Sequence, residues 1–360
     1  MSLGRPWIHD LPSKLHQASQ HGYQGIELFF DDLDCLATKE HNGSHMGAAQ
    51  HVRRLCDKLN LTIICLQPFG FYEGLLDRTQ HEHLVTVKLP QWFELARALN
   101  TDIIQVPANF TPRDPQTGTP TTTADKNVIV SDLQRIADLG LRQSPYPIRF
   151  VYEALAWSNH IDTWEASWEI VQLVDRANFG LCLDTFNIAA RVYADPAAAS
   201  GKRETADIDM RNSLLRLRCG IRGIVPDLSK IFYVQLVDGE RLRAPLNENH
   251  PFYVKGQPKR MNWSRNARLF PFEQERGGYL PVMEIASAIF HDIGFRGWVS
   301  LELFSRTLAE PGPDTVSEHA RRGRVSWDRS VRALGLKNIS PALEPGAGKL
   351  PSLKVQQHRL

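Results

Sequence analysis

The stretch FGLCLDTFNIAARV, residues 179–192, decides how the chain is read. Phe179 to Leu183 is an apolar run with the look of a strand buried on both faces. It stops on a carboxylate, Asp184, then passes through Thr185, Phe186 and Asn187 into an apolar stretch of helical character. An isolated carboxylate is costly to bury. A core strand that ends on one must share that end with something that compensates the charge.

Working outward, the same kind of run recurs along the chain. GIELFF near Ile26, TIICLQPF near Ile63, DIIQVPA near Ile104, IRFVYEAL near Val151, IFYVQLV near Val234 and GWVSLELF near Leu301 are short and rich in β-branched or aromatic residues. A very short opening strand is placed at residues 1–3. Helix-like segments lie between them at 11–21, 48–59, 83–99, 131–141, 164–174, 208–224, 282–292 and 316–334. Strands buried on both faces and alternating with amphipathic helices call for a parallel sheet wrapped in helices. Eight such units predict an α/β fold, a (β/α)8 TIM barrel over residues 1–336, followed by a disordered C-terminal tail at 337–360. A doubly wound open sheet is the alternative, but no GxGxxG follows the first strand. The opening strand is short against the usual five or six residues. This suggests either a sequence that begins late or a weakly closed barrel. Long βα loops are expected at 111–127, 193–207 and 238–278. On a barrel they gather at the C-terminal face and cover a site.

Composition narrows the function classes. The hydrophobic fraction is 42%, the charged fraction 23%, and 42 Lys and Arg nearly balance 40 Asp and Glu for a net charge of +2. That balance offers no electrostatic case for nucleic acid or a membrane surface. Five scattered cysteines without a CxxC pair suit a reducing compartment. With no secretory segment and no apolar run of spanning length, a cytoplasmic location is the expectation.

The strand ends carry the chemistry. Glu153, Asp184, Gln235 and Glu302 end four consecutive strands, the fifth to the eighth by this count. One acid at a strand end is ordinarily a rim residue or a helix cap; an oxygen donor on each of four neighbouring strands is not. In a barrel these ends converge, and three crowded carboxylates in a low-dielectric setting repel and resist ionisation. A hard divalent ion such as Mg²⁺ or Mn²⁺ removes the conflict, because it takes an all-oxygen shell. Glu27, Gln67 and Gln105 end earlier strands in the same way and are expected in the floor of the pocket. Arg78 in GLLDR, with Ser264 and Arg268 in WSRNARLF, forms a second constellation suited to a small anionic substrate. Phe69, Phe71, Tyr72, Trp157 and Trp263 are available to wall a flat ligand.

The segments SLGR, GYQGIELF, CLQPF, GLLDR, DIIQVPANF, RFVYEALAWS, NFGLCLDTFNIAARVYADP, FYVQLVD, WSRNARLFP and GWVSLELF together resemble the fungal 3-dehydroshikimate dehydratases of quinate catabolism. These are xylose-isomerase-like TIM barrels, and the similarity runs from Ser2 to about Leu334. The resemblance implies a metal-dependent hydro-lyase that converts 3-dehydroshikimate, a cyclic keto acid, to protocatechuate (3,4-dihydroxybenzoate). It implies one divalent ion (Mg²⁺, Mn²⁺ or Co²⁺) on Glu153, Asp184, Gln235 and Glu302. Arg78, Ser264 and Arg268 would meet the substrate carboxylate, and Glu153 and Glu302 would handle the protons. Asn187 stands where related bacterial enzymes carry His, and would hydrogen-bond a substrate hydroxyl. His9, His81 and His160 are outside candidates for proton transfer. A sugar or hydroxypyruvate isomerase or epimerase on the same barrel is the main alternative. An AP-endonuclease relative lacks the necessary His ligands, and a non-catalytic regulator would keep the barrel alone.

Overall fold

The computed structural model describes residues 1–224 and 228–336. The parallel strands are β1 (Gly25–Phe29), β2 (Thr62–Gln67), β3 (Ile103–Pro107), β4 (Arg149–Glu153), β5 (Phe179–Asp184) and β6 (Ile231–Gln235). A two-residue antiparallel ribbon follows, β7 (Asp238–Gly239) with β8 (Arg268–Leu269), and the last parallel strand is β9 (Trp298–Ser300). The sheet runs β1-β2-β3-β4-β5-β6-β9, each strand parallel to the next, with helices in between covering its outer face. This is the TIM barrel architecture that the alternation of strands and helices predicts.

One expectation is corrected. The opening residues 1–3 form no strand: they enter a turn in which the Gly4 N–H reaches the Met1 carbonyl at 3.2 Å. The Met1 ammonium pairs with buried Asp32, which holds the segment in that turn. Among the described residues the parallel sheet has seven strands rather than eight, and β1 and β9 do not pair. A cavity of about 870 Å³ lies at this seam, lined by Gly25, Ile26 and Glu27 from one edge and Trp298, Val299 and Ser300 from the other. The expected tail at 337–360 lies outside the described residues.

Strand periodicity sets what the barrel encloses. Side chains two residues apart share a face, so Cys65, Ile103, Val151, Cys182 and Tyr233 point the same way as Gln67, Gln105, Glu153, Asp184 and Gln235. The first set forms a buried cluster of its own, separate from the helix–sheet core. The second set is a buried polar layer one step nearer the strand ends. Apolar stuffing below and polar ends above is what fixes the site at the C-terminal mouth.

The long loops are built as structure. Residues around Thr122 bridge to Leu75, Ala194 bridges to Lys202, and Glu240 bridges to Gly278. The longest loop carries the ribbon and the helix Lys259–Ala267. In the loop after β2, Glu73 is buried, and its Oε1 accepts from the Asn109 N–H at 2.6 Å and the Tyr152 hydroxyl at 2.9 Å. Its Oε2 is buried without a partner among the described residues. Burial pushes this carboxyl up from 4.5 to about 7. The folded chain thus keeps a proton that the unfolded chain releases between pH 4.5 and about 7. Stability from this group is full below that window and is lost as the pH rises through it. Glu73→Gln keeps both accepted hydrogen bonds and removes the ionisation. It should stabilise the protein at pH 8 by about 3 kcal/mol and change little at pH 5. Thermal melts of the two proteins at both pH values check this.

Candidate active site

Asp184 answers the question its strand raises in two ways at once. It ends β5 and caps the helix Thr185–Val192, its Oδ1 accepting from the Phe186 N–H at 2.7 Å. Its Oδ2 faces the barrel mouth. There it accepts from Arg268 Nη1 at 3.0 Å and from Asn187 Nδ2 at 2.7 Å. Parallel pairing sets Asp184 beside Gln235, and Gln235 beside Ser300, two residues before Glu302. Glu153 ends β4. One oxygen from each of Glu153, Asp184 and Glu302 lies within 4.8 Å of the others, and all three side chains are buried.

Arg268 is the cation at this centre. It is 1% exposed, and its Nη1 donates to Asp184 Oδ2 and Glu302 Oε2, each at 3.0 Å. Its Nε donates to Ser264 Oγ at 2.9 Å, and its guanidinium lies 4.4 Å from the Phe186 ring centre and 5.2 Å from that of Phe304. The ribbon positions it: β8 begins at Arg268, immediately after the helix that carries Ser264.

The electrostatics are unbalanced. Burial raises Glu302 to about 8 against the pull of Arg268, with Glu27 and Asp184 adding repulsion. Burial and then the charges of Glu302 and Asp184 drive Glu153 well above the ordinary carboxylate range. Asp184 and Glu27 are also raised, chiefly by burial. One guanidinium does not neutralise three carboxylates.

Gln235 reveals what the arrangement suits. Its Nε2 donates to Glu27 Oε1 at 3.2 Å and Oε2 at 3.0 Å, which fixes the amide orientation. Its Oε1 is left buried without a partner among the described residues. Gln67 Nε2 also donates to Glu27, at 3.1 Å. Three clustered carboxylates and one unpartnered amide oxygen form a donor set of the kind hard divalent cations take. Gln105 repeats the pattern: its Nε2 donates to Glu153 Oε2 and its Oε1 has no partner among the described residues.

The structure brings Glu153, Asp184, Glu302, Ser264, Arg268 and Asn187 into one hydrogen-bonded group, with Gln235 joined to it across the paired strand end. Asn187 donates both amide hydrogens to carboxylates, to Glu153 Oε1 at 2.9 Å and Asp184 Oδ2 at 2.7 Å, while its Oδ1 accepts from the Ala156 N–H. Arg78 is elsewhere. It grips Asp132 with both Nη atoms, at 3.0 and 2.6 Å, and lies 3.0 Å from His81 Nδ1. His9 lies 2.9 Å from the Glu310 carbonyl and His160 lies 3.0 Å from Thr122 Oγ1, so neither meets the centre through these contacts. Phe186 and Phe304, which face the guanidinium, were not anticipated as part of the site. The only sequence signal for either is its place, two residues beyond Asp184 or Glu302.

A family model described as xylose isomerase-like TIM barrel matches residues 15–324. The chain belongs to that family. It is 49% identical over 352 residues to a Neurospora crassa protein named 3-dehydroshikimate dehydratase, covering 95% of this chain and 94% of the relative. A Pseudomonas aeruginosa protein of the same name is 30% identical, over 82% of this chain but only 36% of its own length. Among solved structures, the IolI protein with a bound zinc atom superposes with a TM-score of 0.64 at 18% identity, over 91% of this chain and 95% of that one. This last likeness shows the fold alone.

Among the described residues, no helix is long and apolar enough to cross a membrane.

Proposed function

We propose that this family member is a hydro-lyase that dehydrates 3-dehydroshikimate to 3,4-dihydroxybenzoate and water, the reaction of quinate catabolism. One observation carries the reading. Glu153, Asp184 and Glu302 meet Arg268 at a single buried centre. They do so in a chain matching, almost end to end, a relative named for that activity.

The centre's own residues account for the demands of the reaction. A proton must leave the carbon beside the ring ketone, and the hydroxyl β to that ketone must depart with a proton. Transfer of a further ring proton to the former ketone oxygen then gives the aromatic product. Glu153 and Glu302 divide these proton transfers: burial raises both carboxyls above the ordinary range, Glu302 to about 8, where a carboxyl exchanges a proton near neutral pH. Ser264 and Arg268 supply the neutral and cationic donors for the substrate carboxylate. Asn187 holds Glu153 and Asp184 at fixed separation with its two amide hydrogens, and the second lone pair of its Oδ1 is left to accept from a substrate hydroxyl. Arg78, fastened to Asp132 and half-exposed, has a weaker geometric case for carboxylate recognition. Glu153, Asp184, Glu302 and the free Oε1 of Gln235 fit a divalent ion such as Mg²⁺, Mn²⁺ or Co²⁺. Such an ion would offset the crowded charge and draw electrons from the ketone.

Incubation with 3-dehydroshikimate, followed at the ultraviolet absorbance of the catechol product, tests the reading. Product should form with Mn²⁺ or Mg²⁺, disappear on chelation and return when the ion is restored. Turnover of ketoses with none of 3-dehydroshikimate would overturn it in favour of an isomerase.

A further inference from the structure

On the outside of the barrel, far along the chain from the carboxylate centre, two imidazoles and a carboxylate come together. Glu40 ends the helix Phe30–Glu40, His41 caps it, and His51 projects from the next helix, His45–Lys58. One donor atom from each lies within 4.8 Å of the others. His41 Nε2 is 3.0 Å from His51 Nδ1, and His51 Nδ1 is 3.8 Å from Glu40 Oε2. From this geometry we propose that Glu40, His41 and His51 form a second, surface metal site, for a borderline transition ion of the Zn²⁺ class.

The distances suit that ion. Bonds of about 2.0–2.1 Å in a tetrahedron hold neighbouring donors roughly 3.3 Å apart, and the two measured separations lie on either side of that value. Two nitrogens and one oxygen select zinc-like ions over Mg²⁺, which favours oxygen alone. Three protein donors leave a fourth position for water. The turn between the helices holds the donors near these positions beforehand. The His41 N–H bonds the Ala37 carbonyl at 3.0 Å, the Gly43 N–H bonds the same carbonyl at 2.9 Å, and the Ser44 N–H bonds the His41 carbonyl at 2.9 Å. Gly43 has φ +80°, a left-handed conformation that glycine adopts without strain. Gly47 faces the His41 ring, where a Cβ would sit 3.3 Å from Nδ1. Without an ion, one imidazole N–H lies between the two rings; binding moves that proton to the other nitrogen of its own ring, which frees both facing nitrogens as ligands. Bound ion would tie the end of one helix to the middle of the next and stabilise the corner between them.

A pair on the same hairpin provides the control. His45 Nε2 lies 2.7 Å from Asp34 Oδ1, but no third donor joins it in a cluster among the described residues.

The full-length protein, stripped of metal, is titrated with Zn²⁺ alone by equilibrium dialysis, and its melting temperature is followed in parallel. Wild type should bind one more ion than His51→Ala or His41→Ala. Either substitution should weaken the outer site roughly tenfold or more and abolish its share of the zinc-induced rise in melting temperature. His45→Ala should bind like wild type, and Asp184→Asn should keep the outer ion. That last variant separates failure here from failure at the barrel centre. Dehydratase activity should be unchanged in His41→Ala and His51→Ala. Equal zinc uptake by wild type and His51→Ala, with both proteins folded, would overturn the proposal.

Discussion

Glu302→Gln should lower the turnover number for 3-dehydroshikimate by about a thousandfold or more. The amide oxygen can still accept from Arg268, which donates to Glu302 Oε2 at 3.0 Å, so the local hydrogen-bond geometry survives. What is lost is the group that exchanges a proton near neutral pH and one of the anionic donors for a cation. The metal-free variant should be no less stable than wild type, because the substitution relieves repulsion among Glu302, Glu27 and Asp184. A melt beside the rate measurement therefore separates chemistry from misfolding. Near-normal turnover would remove Glu302 from proton transfer. Glu153→Gln is a less clean substitution, because Glu153 accepts from Gln105 Nε2 and Asn187 Nδ2 on its two oxygens. A new amide group there would turn a donor against a donor.

Arg268→Ala should cost the metal-free protein about 3–5 kcal/mol of stability, the range for removing one partner of a buried ion pair. Its guanidinium is buried between Asp184 and Glu302 and is packed by Phe186 and Phe304. Removing it raises all the surrounding carboxyl pKa values further. The loss should thus grow with pH, as groups protonated in the folded chain ionise in the unfolded one. Added Mn²⁺ should recover more stability in the variant than in wild type, since the ion then replaces the missing positive charge. Substrate affinity should fall together with stability, and the Michaelis constant should rise sharply. Denaturant unfolding across pH, with and without Mn²⁺, reads the first effect and steady-state kinetics the second. An unchanged Michaelis constant would remove Arg268 from carboxylate recognition.

The seam shows where periodicity misleads. Residues 1–3 look like a barrel strand by position, but they turn instead, the Met1 ammonium pairing with buried Asp32. Strand pattern reports which face a side chain takes, not whether the segment lies against a neighbouring edge. Arg78 shows a second limit. Its residue type suits an anion, but Asp132, in a helix more than fifty positions away along the chain, holds it with both Nη atoms. Nothing local to GLLDR reveals that partner. Asn187 is a third case: its departure from His is visible in one dimension, while its double donation to Glu153 and Asp184 is not.

From its sequence alone the chain determines the order of strands and helices, the face each strand turns inward, and the polar residues that stand at the strand ends. These follow from local chemistry: a period of two along strands, apolar runs that must be buried, and caps that stop helices. Tertiary structure alone decides which charges meet. Among the described residues it leaves the sheet with seven strands, carries Arg268 on a two-residue ribbon to Asp184 and Glu302, and turns Gln235 so that one oxygen has no partner. The reason is physical: ion pairing and desolvation depend on separations of a few ångströms between residues distant in the chain, and no local pattern encodes those separations.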